Sequence, residues 1–332
     1  MMIPMADGGE GTLDVLVDAA GGNRRRVTAH GPMGEPVDVT GGLIHQASTA
    51  VIELALVAGY ALVPAGRRDP LRASTYGLGE VLRVAVEGEI EEIILAVGGS
   101  ATVDGGAGMM QALGMTFLDR AGRVLPPRIA GGSLACIDRL VWDKPPVNIE
   151  HVQFTIACDV LNPACGPNGA AAVFAPQKGA DAEGVRLLDR GLSHWASLLE
   201  QTCGRTIHDE PGTGAAGAVA LPLLALTSAM LVPGVDLVSE VTGLACSIGG
   251  AALVVTGEGR LDRQSMMGKV VGAVGRMCKA ADVPCVAIVG ATGPGAEACL
   301  EVVDQFATLD APRDQTETRL AEVAEKVAQE LL

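Results

Sequence analysis

Five apolar runs punctuate the chain, each ending in glycine or an acid: Ala50 to Leu56, Ile93 to Val97, Phe154 to Cys158, Ala251 to Val255 and Val283 to Val289. Their length and branched residues predict buried strands. Helical spacing fills the intervals. Tyr76 to Val86 follows Ser74, an expected N-cap; Ala107 to Leu113 follows a glycine turn; Val185 to Thr202 has apolar residues three and four apart. Arg319 to Leu332 sets Leu320, Val323, Val327 and Leu331 on one face, and a further helix starts near Leu13. Strands alternating with helices predict an α/β fold with mainly parallel sheets. Gly31 to Val39 and Leu118 to Pro127 read as hairpins or surface loops, and Gly131 to Ile149 as a boundary or long connection.

The segment Pro211 to Val235 carries no charge and imitates a membrane span. It holds closely spaced Gly and Ala with Pro222 and Pro233, and its flanks Asp209, Glu210 and Asp236 are acidic. A glycine-rich turn followed by a buried helix is the expectation instead.

At 332 residues the chain suits two domains. With 48% hydrophobic residues, only 2% aromatic, and 44 glycines, the core must come from closely packed aliphatic side chains. A net charge of −15 argues against nucleic acid or an anionic membrane as partner. An anionic ligand then requires locally gathered bases, and Arg260, Arg263 and Lys269 are such a group. The eight cysteines form no Cys-x-x-Cys pair and read as reduced and buried. Met1 to Glu10 is too short for a secretory signal and meets acid early, so the cytoplasm is the expected compartment.

Five motifs carry candidate chemistry. In Met5-Ala-Asp-Gly-Gly-Glu-Gly-Thr12, Asp7 and Glu10 flank a glycine pair before a helix, where they could cap it or face a ligand. In Ile93 to Gly108 a strand runs into Gly98, Gly99, Ser100, Thr102, Asp104, Gly105 and Gly106, then a helix. Glycine turns of this kind let backbone amides approach phosphate, although neither a Walker A loop nor a clean dinucleotide fingerprint is present. Ala157 to Ala180 places Asp159 at a strand end, with Asn162 and Lys178 in following loops. Pro211 to Gly217 offers small residues for either close packing or ligand approach. Val254 to Lys269 reads as a strand stopping in a turn that holds Glu258 and Asp262 beside Arg260, Arg263, Ser265 and Lys269. Acids for Mg²⁺ and bases for phosphate oxygens suit a metal–phosphate complex; a surface ion-pair network is the structural alternative.

Together these stretches, in order from Pro4 to about Lys269, resemble the glycerate kinase family of bacteria. The resemblance implies two α/β domains, one flavodoxin-like and built from both chain ends, with an active site in the interdomain cleft. The expected division is residues 1–59 with 249–332, and 60–248 inserted. It implies ATP, Mg²⁺ and D-glycerate as ligands and 2-phosphoglycerate as product; a homodimer is one option for the assembly. On this basis Asp7, Asp104, Lys178 and Arg260 are candidate catalytic residues, with Asp7 or Asp104 as base. Gly98, Gly99, Ser100, Thr102, Gly105 and Gly106 would bind the nucleotide phosphates. Glu10, Asn162, Ser265 and Lys269 would bind substrate, and Asp159, Glu258 and Asp262 the metal.

Members of that family begin with a further strand–helix unit carrying an Asp-Ser-Phe-Lys-like motif, whereas this sequence starts at Met1-Met2-Ile3-Pro4. An upstream start not included in this sequence is one explanation; for a chain beginning at Met1 the expectation is a sheet short of one strand, poor solubility and little kinase activity. An alternative function is therefore a catalytically impaired sugar-acid or nucleotide-binding protein of the same fold. An NAD-linked oxidoreductase is a third reading, which the missing dinucleotide fingerprint disfavours.

Overall fold

Branched apolar residues form strands close to the expected positions in the computed structural model, which describes residues 1–143, 145–146, 149–266, 268–310 and 315–331. The chain divides into two compact units, Gly8–Gly234 and Met1–Asp7 with Val235–Leu332.

The first unit holds β1 (Asn23–His30), β2 (Pro36–Ile44), β3 (Thr49–Glu53), β4 (Glu92–Ala96), β5 (Thr116–Leu118), β6 (Arg139–Val141), β7 (Gln153–Cys158) and β8 (Met230–Pro233). Six of them form one sheet in the order β1-β2-β3-β4-β7-β8. β3, β4, β7 and β8 run parallel, with Ile94 opposite both Val51 and Thr155. β1 and β2 add an antiparallel hairpin at one edge. The helices are α1 (Thr12–Ala19), α2 (Ala55–Ala58), α3 (Tyr76–Val86), α4 (Ala107–Ala112), α5 (Ala170–Phe174), α6 (Ala182–Cys203), α7 (Ala215–Ala218) and α8 (Leu221–Leu226).

The core packs Leu78, Leu82, Ile93, Leu95, Phe154, Ile156, Leu192 and Trp195. Each such side chain contributes roughly 1.5–3 kcal/mol by leaving water. α6 begins where Asp181 accepts the Gly184 amide at 2.8 Å and ends at Gly204 with φ +73°. The N-cap of α3 is Thr75 rather than Ser74, whose hydroxyl donates to the Ile129 carbonyl at 2.7 Å.

Two expectations change here, and one strand was not foreseen. Residues 8–59, expected with the C-terminal segment, belong to this unit because β1 to β3 join the sheet of β4. β1 carries no apolar run, since Arg24, Arg25 and Arg26 lie exposed on an edge strand. The uncharged stretch after Pro211 holds not one helix but α7, α8 and then β8, which pairs with β7. Among the described residues no helix is long and apolar enough to cross a membrane.

The second unit contains α9 (Gly234–Thr242), α10 (Leu244–Ile248), β9 (Val254–Leu261), α11 (Val270–Ala280), β10 (Cys285–Thr292), β11 (Gln305–Thr308) and α12 (Thr316–Leu331). Its sheet is parallel throughout, in the order β11-β10-β9. Leu244, Ile248, Val271, Val274, Ala287 and Val289 form the core, and Ile3 and Met5 pack against it. β9 starts later than the apolar run and continues through Gly257 to Leu261, so Glu258 stands on a strand opposite Val289 and Arg260 opposite Ala291. β9 is an edge strand, and Val255 on it is 52% exposed.

Val323 and Val327 of α12 are buried with Val286 and Ile288, while Leu320 stays exposed. Leu332, the Leu331 side chain and Met267 of the fifth motif lie outside the described residues. All eight cysteines are free; Cys278, Cys285 and Cys299 are buried as expected, whereas Cys136 and Cys246 are exposed.

Candidate active site

The carboxyl ends of β4 and β7 open into a cavity of about 370 Å³ in the first unit. Open parallel sheets place their ligands at such ends. Gly9 and Glu10 line it from the first motif, Gly98, Gly99 and Ser100 from the second, Asp159, Gln177 and Lys178 from the third, and Ala215 and Ala216 from the fourth. Four motifs far apart in sequence thus meet at one place. Glycine permits the meeting. The Gly98 amide donates to the Gly8 carbonyl at 3.2 Å, and a Cβ at Gly98 would stand 2.5 Å from Gly9 Cα. Ala216 sits on the wall at φ +51°, a conformation that costs a non-glycine residue energy and is common at functional sites.

Lys178 is the distinctive cation of this cavity. It ends a short 3-10 turn, Pro176–Lys178, closed by Gly179 at φ +104°. A lysine in a loop is ordinarily solvated, yet this residue is only 4% exposed. Nζ bonds Ser100 Oγ at 2.6 Å and the Thr102 carbonyl at 2.8 Å. Burial lowers its pKa from 10.5 to about 7, against the opposing pull of the Asp104 charge.

Asp104 does not fit the role of base. It is fully buried and absent from the cavity wall. One oxygen accepts the Thr75 amide and hydroxyl at 2.8 Å each and the Gly108 amide at 3.3 Å; the other accepts the Gly106 amide at 3.3 Å. Desolvation raises its pKa while these bonds pull it down. Asp104 therefore holds the turn ahead of α4 and supplies a negative charge near Lys178.

Nor do three of the expected phosphate ligands reach the cavity. The Gly105 amide donates to Gly217 at 3.0 Å and its carbonyl accepts Trp195 Nε1 at 2.8 Å; the Gly106 amide is taken by Asp104. Thr102 is buried, with Oγ1 unpartnered among the described residues. Asn162 is also off the wall; its Nδ2 donates to the Asn168 carbonyl at 2.8 Å and its carbonyl accepts the Gly214 amide. These residues build the walls from behind.

Sequence reasoning missed Glu53. This buried acid at the end of β3 accepts the amides of Gly11 at 2.9 Å and Leu13 at 3.3 Å, so it caps α1 from 42 residues away. Glu10 is thereby left to line the cavity rather than cap the helix. An acid inside the apolar run Ala50 to Leu56 is a signal, but nothing local names its partner. Tyr60, Cys158 and Phe174 also line the cavity unforeseen. Burial raises the Cys158 thiol to about 11, which leaves it without thiolate reactivity.

The fifth motif forms a second cluster, within the other unit. Burial raises the Glu258 pKa; a hydrogen bond from Ser265 and the Lys269 charge oppose it, and the charges of Asp262 and Asp7 reinforce it. Asp7, from the first motif, therefore shares an electrostatic neighbourhood with Glu258. The backbone explains the arrangement: Glu258 ends up on β9, the Asp262 amide donates to Ser265 Oγ at 3.1 Å, and Lys269 is the N-cap of α11. Arg260 is exposed, its Nε 3.9 Å from Asp262 Oδ2. Glu258 Oε1 is buried and finds no hydrogen-bond partner among the described residues. Among those residues no three His, Cys, Asp or Glu side chains gather as a metal cage.

Comparison with known proteins places this geometry. The family model described as the glycerate kinase family matches residues 1–332. A glycerate kinase of Halalkalibacterium halodurans is 42% identical over 335 residues, spanning 98% of this chain and 88% of that protein. A glycerate 2-kinase of Escherichia coli K12 is 38% identical, spanning 93% of this chain and 82% of that protein. A crystal structure from Salmonella typhimurium LT2 assigned as a glycerate kinase 2 superposes with a TM-score of 0.81 at 34% identity, covering 99% of this chain and 89% of that one.

Proposed function

The chain belongs to the glycerate kinase family, whose members are ATP-dependent kinases, and from that premise we propose that it transfers the γ-phosphoryl group of ATP to a hydroxyl of D-glycerate, giving 2-phosphoglycerate. The observation that carries the reading is the convergence of four motifs on one cavity at the strand ends, with Lys178 as its buried amine. Phosphoryl transfer asks chiefly for positioning and for neutralisation of charge on the transferred group. In this reading Gly98 and Gly99 face phosphate oxygens, Glu10 holds the small acid, and Ser100 and Lys178 stand at its reacting hydroxyl. The identity of the 2-position as acceptor draws support from the glycerate 2-kinase relative.

Mg²⁺ belongs to the proposal. The unpartnered Glu258 Oε1, with Asp262 and Asp7 as neighbouring charges, suits a hard cation. Mg²⁺ ordinarily takes one or two carboxylates and completes its shell with water and phosphate, so a full protein cage is not required. When bound it would neutralise phosphate charge. Ser265 and Lys269 would orient and balance the carboxylates, and Arg260 is exposed and available to phosphate. Eight free cysteines fit the reducing cytoplasm as the compartment. The test is ADP release that depends on D-glycerate and is not supported by L-glycerate; release indifferent to either acid would refute the substrate assignment.

A further inference from the structure

One buried contact in the cavity is not explained by ligand binding. Ser100 Oγ and Lys178 Nζ are 2.6 Å apart, and both residues reach the cavity while being about 95% buried. A lysine that only binds an anion would direct its hydrogens at the ligand space. Lys178 instead spends two positions on Ser100 and the Thr102 carbonyl. As an ammonium, Nζ donates to Ser100 Oγ and to the Thr102 carbonyl; in the neutral amine the same 2.6 Å contact reverses, with the serine hydroxyl donating to Nζ.

We propose that Ser100 and Lys178 form a proton relay in which Lys178 is the general base for the acceptor hydroxyl and Ser100 carries the proton between them. The inference rests on the kinase reading above. In the step, the acceptor oxygen forms a bond to the γ-phosphorus while the bond from that phosphorus to the bridging oxygen breaks, and ADP leaves with that electron pair. The acceptor's proton passes to Ser100 Oγ as the serine's own proton passes to Nζ. The resulting ammonium is met by the Thr102 carbonyl, Ser100 Oγ and the charge of Asp104.

Burial supports the assignment by lowering the amine to about 7, where a neutral base is available at ordinary pH. The charged or titratable groups around it are Asp104 behind the turn, Glu10, Asp159, Tyr60 and Cys158 on the cavity wall, and Arg68, which packs against Gly179 and lies over the Tyr60 ring. The Asp104 charge opposes the shift, but burial outweighs it. Asp104 itself has no free route to the cavity, because its oxygens accept four bonds.

Two readouts test the relay. The first is kcat/KM for D-glycerate against pH in the wild-type chain, Ser100→Ala, Lys178→Arg and Lys178→Ala, each checked for folding by circular dichroism. The relay predicts an acidic limb near pH ~7 in the wild type, that limb abolished with at least a ~10²-fold loss in Ser100→Ala, and Lys178→Arg as impaired as Lys178→Ala. Ethylamine should restore Lys178→Ala in proportion to its free-base form. Lys178→Arg within about tenfold of wild type, an unchanged limb in Ser100→Ala, or rescue that follows the ammonium form would overturn it. The second readout needs no knowledge of the substrate: labelling of Ser100 by a small fluorophosphonate, read by mass spectrometry. Its rate should rise through pH ~7 in the wild type and vanish in Lys178→Arg. Labelling independent of pH, or none at Ser100, overturns the relay even if D-glycerate is phosphorylated. Labelling as expected without turnover of D-glycerate would sustain the relay and refute only the substrate.

Discussion

Glu53 caps helix α1 from the end of a neighbouring strand, accepting the Gly11 amide at 2.9 Å. The contact ties the Gly8–Glu10 segment to the sheet and so sets one wall of the cavity. Glu53→Ala should lower stability by ~1–3 kcal/mol, since two helix-terminal amides lose their acceptor in a half-buried place. Glu53→Gln, which keeps one acceptor oxygen, should lose less. Urea unfolding of the two variants checks the order, and equal losses would deny the cap.

Asp104 is a structural carboxylate, so its removal should be felt in stability before chemistry. Asp104→Asn places an amide NH₂ among four donors and should cost on the order of 3 kcal/mol. Thermal unfolding measures the loss. A variant as stable as wild type but without turnover would return Asp104 to the role of base.

Lys178 gives the fold a pH dependence of definite sign. Its native pKa, about 7, lies below the ordinary 10.5, so the unfolded chain binds more protons between those values. The burial penalty is therefore complete below about pH 7 and relieved as pH rises toward the unfolded value. Relative to Lys178→Met, the wild type should gain on the order of 2 kcal/mol between about pH 7 and pH 9. A flat difference would mean that Lys178 is not a desolvated amine.

Metal binding separates Glu258 from a surface network. If Glu258 and Asp262 serve Mg²⁺, Glu258→Gln and Asp262→Asn should raise the Mg²⁺ concentration needed for half-maximal rate and depress kcat at least ~10-fold, with the fold retained. An ion-pair network alone predicts spared catalysis and a stability loss of ~1 kcal/mol or less. Titration of rate against Mg²⁺ in both variants distinguishes them.

How much was legible follows from range. Helices such as Tyr76–Val86 stand where period and glycine turns put them, and the strands of the apolar runs lie within a few residues of expectation. β1 was invisible because an edge strand need bury little, and Arg24 to Arg26 are exposed there. β9 looks like a turn in sequence because Gly257 and Gly259 break its apolar pattern, although its pairing with β10 keeps them in the strand. The motifs converge, since four of them meet at the cavity. Roles within a motif were not legible. Gly98 and Gly105 look alike in sequence, and only tertiary contact shows that one faces the cavity and the other the indole of Trp195. Asp104 resembles a base until its four donors are seen.

Phosphorylation of D-glycerate at the 2-position is decided by the product itself. The chain would be incubated with ATP, Mg²⁺ and D-glycerate, ADP followed by a coupled assay, and the product examined by proton-coupled phosphorus NMR. ADP should form one-for-one with an ester whose phosphorus couples to the single C2 proton. A phosphorus coupled to the two C3 protons would contradict the assigned hydroxyl, and no D-glycerate-dependent ADP would contradict the function.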